Sequence, residues 1–247
     1  MTDLPDSPPP YGTLAFDCDS TLSAMEGIEE LARDHAEVKA LTRQAMEGTI
    51  ALEEVFGRRL ALVRPTRADV ERIGRLYVEK LVPGVAALIA ALQALGKEVH
   101  VVSGGLLPAV RHLAEALGVP AARVHAVDLV FDAAGGYAGF DARSPLARAG
   151  GKIEVLSALA RPGVPLAFVG DGATDLEAAP VCARFVAYGG VERREKVLAA
   201  ARVKSLEPDF RSLVPLLLSP AEIATLAASA AHRSLVEPPR ALRTPTA

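Results

Sequence analysis

The sequence predicts an α/β protein with a parallel β-sheet at its centre and a helical insertion. Half of the residues are hydrophobic but only 4% are aromatic, a composition that suits helices packed on a sheet. Short apolar segments that end at polar or glycine-rich clusters are typical of buried parallel strands. Four segments have this pattern: Thr13–Phe16, Glu98–Val102, Pro165–Val169 and Arg184–Ala187.

The long stretch between the first and second predicted strands has only helical character. Its four helical patterns are Glu26–His35, Glu37–Glu47, Ala51–Val63 and Ala68–Val82. Thr66 followed by Asp69 is typical of a helix N-cap with an acidic first turn. We therefore predict a Rossmann-like core, formed by residues 11–22 and 82–218, with a four-helix cap domain, residues 23–81, inserted after the first strand.

The remaining segments complete the predicted core. Val85–Leu95 has a helical pattern that ends at a glycine. Val127–Asp132 and Tyr137–Phe140 flank an Ala-Ala-Gly-Gly turn and predict a β-hairpin. We expect residues 1–10 to be a flexible N-terminus, and residues 219–247 to form a C-terminal helix followed by a proline-rich disordered tail.

Composition excludes several classes of protein. The formal net charge is −3, without a long basic run, so we predict no nucleic-acid partner. The two cysteines, Cys18 and Cys182, belong to no zinc or disulfide pattern, which favours a reduced cytoplasmic protein. The N-terminal residues lack the apolar run of a secretory signal, and no apolar stretch approaches the roughly 20 residues of a membrane span.

The strongest chemical signal is the segment Phe16-Asp17-Cys18-Asp19-Ser20-Thr21, at the end of the first predicted strand. A loop that curls after the strand would bring both carboxylates towards one ligand. Such crowding of negative charge is costly without a cation, and Mg²⁺ prefers carboxylate, carbonyl and water oxygens. The simpler alternative is an acidic turn in which Asp19 caps a helix.

Three further clusters follow later predicted elements. Ser103-Gly104-Gly105 precedes a helix, where free backbone N–H groups favour an anion, although a plain turn and cap fit as well. Lys152 lies at a helix start, where the helix dipole disfavours it, although a solvated surface lysine is the default interpretation. Asp171 and Asp175 follow the third strand and could equally form a capped turn.

Together, in this order, the four clusters resemble the motifs of the haloacid dehalogenase-like phosphatases, from about Tyr11 to Leu218. Within that superfamily, other segments are similar to the members that hydrolyse phosphoserine: MEGI, MEG, RRLAL, GGYAGFD, GGK, GDGATDLEA and YGG. The resemblance implies a fold of the same type and a Mg²⁺-dependent phosphomonoesterase.

The resemblance also implies catalytic roles. Asp17 would attack phosphorus and become an aspartyl phosphate. Asp19 would protonate the leaving alkoxide and later activate water. Mg²⁺ would be held by Asp17, by the backbone carbonyl of Asp19 and by Asp171, with Asp175 orienting these ligands.

Substrate contacts are implied in the same way. The phosphoryl oxygens would be bound by Ser103, the amide of Gly104 and Lys152, and Thr174 would lie close to the same substrate-binding site.

In the cap, Glu26 would meet the substrate ammonium group and Arg59 its carboxylate, with Met46 and Leu52 also at the substrate. Members of the family often place phenylalanine where this chain has Leu52. The cap is expected to close over the site, which would exclude water.

Three alternatives remain at this stage. The chain could act on another small phosphorylated metabolite, or transfer the phosphoryl group to an alcohol. It could be a signalling module in which the aspartyl phosphate is the output, although such modules are shorter and lack a cap. It could be a non-catalytic binding protein, although all four motif aspartates are present. In the favoured interpretation the partner is a small phosphomonoester, and the protein is a monomer or homodimer.

Overall fold

The computed structural model describes residues 8–33, 35–38, 40–41 and 52–236. Its main sheet has six strands in the order β3-β2-β1-β6-β7-β8, and every neighbouring pair is parallel. A separate antiparallel hairpin is formed by β4 and β5. The strands are β1 Thr13–Phe16, β2 Glu98–Leu106, β3 Val124–Val127, β4 Leu129–Phe131, β5 Tyr137–Phe140, β6 Leu166–Gly170, β7 Arg184–Tyr188 and β8 Val203–Ser205.

Helices cover the sheet and form the insertion. The α-helices are α1 Gly27–Leu31, α2 Leu52–Val63, α3 Arg67–Glu79, α4 Val85–Ala94, α5 Leu107–Ala116, α6 Gly151–Leu159, α7 Ala173–Glu177, α8 Glu195–Ala200, α9 Val214–Leu217, α10 Pro220–Ala228 and α11 Arg233–Val236. Residues 36–38 and 40–41 are also helical. Within the described ranges, no helix is both long and apolar enough to cross a membrane.

The α/β fold predicted from the sequence is confirmed, and all four predicted strands are present. β1 lies in the centre of the sheet, where Thr13 is in register with Glu98 on one side and Leu166 on the other. The predicted hairpin is also present. The sequence did not predict β3 and β8, which extend the sheet on its two sides.

One boundary differs from the prediction in a way that affects the site. β2 was expected to end at Val102, but it continues to Leu106, with a register shift against β3 between these residues. Ser103-Gly104-Gly105 therefore lies on the strand, and α5 begins only at Leu107. Leu106 pairs again with Val127 of β3, so β2 extends beyond the apolar segment through a tertiary contact that local composition does not show.

The insertion between β1 and β2 begins and ends at a pair of adjacent linkers. Ala24 N–H donates to the carbonyl oxygen of Lys80 at 2.8 Å, and Val82 N–H donates to that of Leu22 at 3.0 Å. Between the linkers lie α1, α2 and α3, while the predicted helix Glu37–Glu47 extends beyond the described residues. The exact domain boundaries and the closing movement of the cap stay predictions.

The predicted N-cap of α3 is confirmed as a reciprocal pair. Asp69 N–H donates to the Thr66 hydroxyl at 3.2 Å, and Thr66 N–H donates to the Asp69 carboxylate at 2.9 Å. Further along the helix, a Cβ added to Gly74 would lie only 2.8 Å from Cβ of His112 in α5. Glycine therefore lets α3 pack closely against a helix of the core.

The C-terminal helix α10 is tied to the core by a buried ion pair. Lys97 Nζ donates to the backbone carbonyl of Tyr11 at 2.7 Å and pairs with Glu222. Glu222 also forms a capping box with Ser219 at the start of α10. The flexible end predicted at residues 1–10 and the disordered tail predicted after α11 fall largely on residues 1–7 and 237–247, which lie outside the described part.

Candidate active site

A cavity of about 260 Å³ lies at the carboxyl ends of β1, β2 and β6 and is bordered by the inserted helices. Ligands of open parallel sheets bind at this edge. The predicted site residues that line it are Asp17, Asp19, Glu26, Arg59, Gly104, Lys152, Asp171, Thr174 and Asp175. Ser103 is fully buried beside it. Met46 and the side chain of Leu52 lie outside the described part of the structure.

The loop after β1 turns both of its carboxylates towards the cavity. Asp17 extends the strand, since its N–H donates to the carbonyl oxygen of Val169 at 2.9 Å. Ser20 then adopts a left-handed backbone conformation with φ of 49°, which is uncommon for a residue other than glycine and tends to occur at functional sites. The chain turns sharply directly after Asp19, and Asp17 and Asp19 both face the same cavity.

Lys152 joins two of the carboxylates. Its Nζ lies 2.9 Å from Asp17 and 2.5 Å from Asp175, and all three side chains are buried. Burial alone would lower the pKa of Lys152, but the negative charges of Asp17 and Asp175 raise it, so the amine is held as a cation. From the sequence alone, Lys152 could have been a solvated surface residue. In the structure it is a buried part of the site.

Two glycines allow these groups to come together. A Cβ at Gly151 would lie within 2 Å of the carbonyl oxygen of Pro145. A Cβ at Gly170 would similarly overlap the Asp175 carboxyl group. Any side chain at these positions would displace the backbone or the carboxylate. Gly151 therefore lets the start of α6 lie close to the turn at Pro145–Ala147, and Gly170 lets Asp175 of α7 lie close to the end of β6.

Three carboxylates at the bottom of the cavity have the arrangement of a cation site. Asp17, Asp171 and Asp175 are buried and each offers an oxygen within 4.8 Å of the others. Burial raises the pKa of Asp17, and the nearby Asp175 raises it further. Lys152 Nζ, at 2.9 Å from Asp17 Oδ1, offsets part of this negative charge. The cluster fits a divalent cation bound through oxygen, since such an ion would relieve the repulsion among the three carboxylates.

Asp19 has different neighbours. Its Oδ1 accepts hydrogen bonds from the Tyr77 hydroxyl and the Gly27 N–H, both at 2.6 Å. The Ser103 hydroxyl lies 3.4 Å from Oδ2. Burial raises the pKa of Asp19, while the hydrogen bonds from Tyr77 and Gly27 counteract this. The two aspartates of the loop are thus placed in distinct environments.

Glu26 and Arg59 bring opposite charges to the side of the cavity formed by the insertion. Glu26 accepts from the Ser20 hydroxyl at 2.7 Å and pairs with Arg194 at 2.9 Å. Burial, together with the negative charge of Asp19, raises the pKa of Glu26 to about 7. Nε of Arg59 is buried without a hydrogen-bond partner in the described part of the chain. Arg59 lines the cavity, so one of its N–H donors lacks a partner from the described residues at the edge of a polar site.

Several residues that line the cavity or contact its aspartates were not predicted from the sequence. Arg194 pairs with Asp171 at 2.7 Å as well as with Glu26, and it follows the glycines after β7, a position at the same edge that could have revealed it. The Thr21 hydroxyl donates to Asp171 at 3.0 Å. Tyr77 and Phe56 also line the cavity, but they are apolar-face residues of helices and gave no sequence signal.

Comparison with known families agrees with this geometry. Residues 14–180 match the model of the haloacid dehalogenase-like hydrolases. A phosphoserine phosphatase of Bos taurus is 39% identical over 189 residues, which are 74% of this chain and 84% of the bovine protein. A phosphoserine phosphatase of Drosophila melanogaster is 34% identical, with 81% of this chain and 76% of the fly protein aligned.

Solved structures give the same result. A substrate-bound phosphoserine phosphatase complex superposes with a TM-score of 0.71 and 25% identity, over 85% of this chain and all of that chain. A phospho-aspartyl intermediate analogue of phosphoserine phosphatase superposes with a TM-score of 0.69 and 26% identity over the same shares. The chain therefore belongs to the haloacid dehalogenase-like hydrolases and, within them, to the phosphoserine phosphatase family.

Proposed function

We propose that this protein hydrolyses O-phospho-L-serine to L-serine and phosphate, the last step of serine biosynthesis, with Mg²⁺ as its cofactor. The observation that carries the proposal is that one cavity contains both a group of residues suited to phosphoryl transfer and a group suited to binding an amino acid. Asp17 and Lys152 supply groups for phosphoryl chemistry, while Glu26 and Arg59 supply the charges that match an ammonium and a carboxylate. The family relationship supports the same substrate.

In the first step Asp17 attacks phosphorus and the serine oxygen leaves, which produces an aspartyl phosphate. Phosphoryl transfer spreads negative charge over the non-bridging oxygens, so fixed cations and donors contribute most to catalysis. Lys152 is held in place for this by Asp175, and the Gly104 amide, the Ser103 hydroxyl and Thr174 lie at the same site.

Asp19 moves the protons of both steps. It donates one to the oxygen of the leaving serine and then accepts one from the water that hydrolyses the aspartyl phosphate. Among the described residues, its Oδ2 has only a long contact of 3.4 Å with the Ser103 hydroxyl, because the two short hydrogen bonds at 2.6 Å are made to Oδ1.

The carboxylates of Asp17 and Asp171, with the backbone carbonyl of Asp19, would hold the metal. Mg²⁺ fits the hard oxygen donors of the cluster, and when bound it would neutralise charge on the transferring phosphoryl group. Asp175 is already engaged by Lys152 and by the N–H of Gly172, so it orients its neighbours. Both cysteines are free thiols, which fits a cytoplasmic setting.

The test is phosphate release from L-phosphoserine, phosphothreonine, phosphoethanolamine and an aryl phosphate, with Mg²⁺ or with EDTA. We expect Mg²⁺-dependent release that is strongest with phosphoserine. The same panel with added alcohols would detect phosphoryl transfer to an acceptor. Release from other esters only would reject the substrate and keep the chemistry. Release from none would reject the proposed activity.

A further inference from the structure

Tyr77 is a buried cap residue whose hydroxyl contacts the proposed acid–base group. It lies in α3, its exposed fraction is 1%, and its hydroxyl is 2.6 Å from Oδ1 of Asp19. The Gly27 N–H occupies the same oxygen at 2.6 Å. Two donors on Oδ1 determine the rotation of the carboxyl group. The other oxygen, Oδ2, is then directed towards Ser103, on the phosphate side of the cavity.

We propose that Tyr77 is a positioning residue that aims Oδ2 of Asp19 at the oxygen of the leaving alcohol. The inference rests on the proposed function, because it requires Asp19 to act as the acid. Proton transfer needs a heavy-atom separation of about 2.6–3.2 Å at the moment of reaction, so a carboxyl group free to rotate would spend much of its time out of reach. The phenol hydroxyl of Tyr77 removes that freedom.

The surroundings of the hydroxyl leave it little room to move. A Cβ at Gly27 would lie within 2.5 Å of the Tyr77 hydroxyl oxygen, and one at Gly105 would lie 3.4 Å from it. The helix that carries Tyr77 is fixed as well, because Gly74 brings α3 close to His112 of the core. The hydroxyl is thus held between the first turn of α1 and the end of β2, which is how a preorganised donor is built.

The experiment compares leaving groups in Tyr77→Phe, which removes the hydroxyl and keeps the ring. The alkoxide of phosphoserine needs a proton as it leaves, whereas 2,4-dinitrophenolate does not. We expect kcat/KM to fall about 10- to 100-fold for phosphoserine and less than about threefold for 2,4-dinitrophenyl phosphate. A merely structural role would lower both values together. Equal losses, or no loss on phosphoserine, would overturn the proposal.

Two more variants serve as a control and as an independent test of the position of the Tyr77 hydroxyl. Tyr188→Phe removes another buried hydroxyl, one without a hydrogen-bond partner among the described residues, and should change neither value. Gly27→Ala keeps Tyr77 in the sequence but displaces its hydroxyl, and should reproduce the selective loss on phosphoserine. Unchanged selectivity in Gly27→Ala would contradict the proposal even if Tyr77→Phe failed to fold.

Asp19→Asn separates failure of this inference from failure of the proposed function. It should show the same selectivity for the poor leaving group, with a larger loss of about 100- to 10,000-fold on phosphoserine. If Asp19→Asn is selective and Tyr77→Phe is not, Tyr77 has no positioning role and the proposed mechanism stands. If Asp19→Asn affects both substrates equally, the acid role fails, and the inference about Tyr77 fails with it.

Discussion

The two sides of the cavity differ in how completely their charges are paired before any substrate binds. On the core side, Lys152 contacts Asp17 and Asp175 at 2.9 and 2.5 Å, and all three side chains are buried. On the cap side, Nε of Arg59 is buried without a hydrogen bond to the described residues. The charged groups of the core side are thus paired with one another, whereas the cap side keeps an arginine donor that the proposed function assigns to the variable part of the substrate.

The difference follows from the elements that carry these residues. The core side chains lie at strand ends and in the first turns of helices, and their backbone belongs to a six-stranded sheet. The cap side chains lie on helices that join the core through two linkers. Elements built into a sheet hold catalytic groups within tight tolerances, whereas residues on an inserted domain can differ with the substrate that they recognise. Core variants should therefore affect all phosphate esters, and cap variants should affect selected ones.

The largest expected effect is that of Asp17→Asn. Without a nucleophilic carboxylate, kcat should fall by at least about 10⁴-fold on phosphoserine and on 2,4-dinitrophenyl phosphate alike. Phosphate release on both substrates measures this. Asp128→Asn, an exposed aspartate away from the cavity, is the matched control. Residual activity within tenfold of wild type on either substrate would remove Asp17 as the nucleophile.

Arg59→Ala should have a smaller and selective effect. Loss of a charged hydrogen bond costs about 1.5–3 kcal/mol, which corresponds to roughly 10- to 150-fold in kcat/KM for phosphoserine. Phosphoethanolamine has no carboxylate, so its kcat/KM should hardly change. Arg58→Ala, the exposed neighbour in α2, serves as control. Equal losses on both esters would break the assignment of recognition to the cap side.

A pH effect on stability should originate in the core sheet. Nδ1 of His100 lies 3.2 Å from Nε2 of His125, with Glu98, Arg123 and Arg161 close by. Burial and the neighbouring His125 lower the pKa of His100 to about 4. Since the folded-state pKa lies below the unfolded one, His100 stabilises the fold above pH 6.5 and loses this contribution as the pH falls towards 4.

We expect this contribution to be about 1–2 kcal/mol between pH 7 and pH 4.5. Urea unfolding at both pH values measures it. His100→Gln should reduce the loss of stability on acidification, whereas His112→Gln, at an exposed histidine in α5, should not. The selectivity between phosphoserine and phosphoethanolamine at pH 7 should be unchanged in both variants. If the free energy of unfolding depended on pH in the same way in wild type and in His100→Gln, His100 would not be the source of the effect.

The smallest expected effect is on the stability of the cap helix α3. Thr66→Ala removes its capping box and should lower the free energy of unfolding by about 1 kcal/mol. Urea midpoints measure this, and Thr225→Ala, an exposed threonine inside α10, should cost less. If Thr66→Ala also changed the ratio of activities on phosphoserine and the aryl phosphate, helix position and selectivity would be coupled. If Thr66→Ala lowered the free energy of unfolding no more than Thr225→Ala, the N-cap at Thr66 would not stabilise α3.

Local pattern was sufficient for much of the fold. Apolar segments before polar clusters identified β1, β2, β6 and β7, and the Thr66–Asp69 spacing identified the start of α3. The edge strands β3 and β8 were missed, since they have four and three residues and little apolar pattern of their own. Such short strands are extended mainly because a neighbouring strand pairs with them.

The residues of the site also fall into those that the sequence predicted and those that only the structure revealed. The sequence by itself determined which carboxylates follow β1 and β6, because parallel strands deliver their carboxyl ends to one edge of the sheet. Only the tertiary structure decided that Lys152 is an internal cation, that Arg194 joins Asp171 to Glu26, and that Tyr77 reaches Asp19. These contacts join residues far apart in the chain, and the packing of helices on the sheet sets their distances, which no local pattern records.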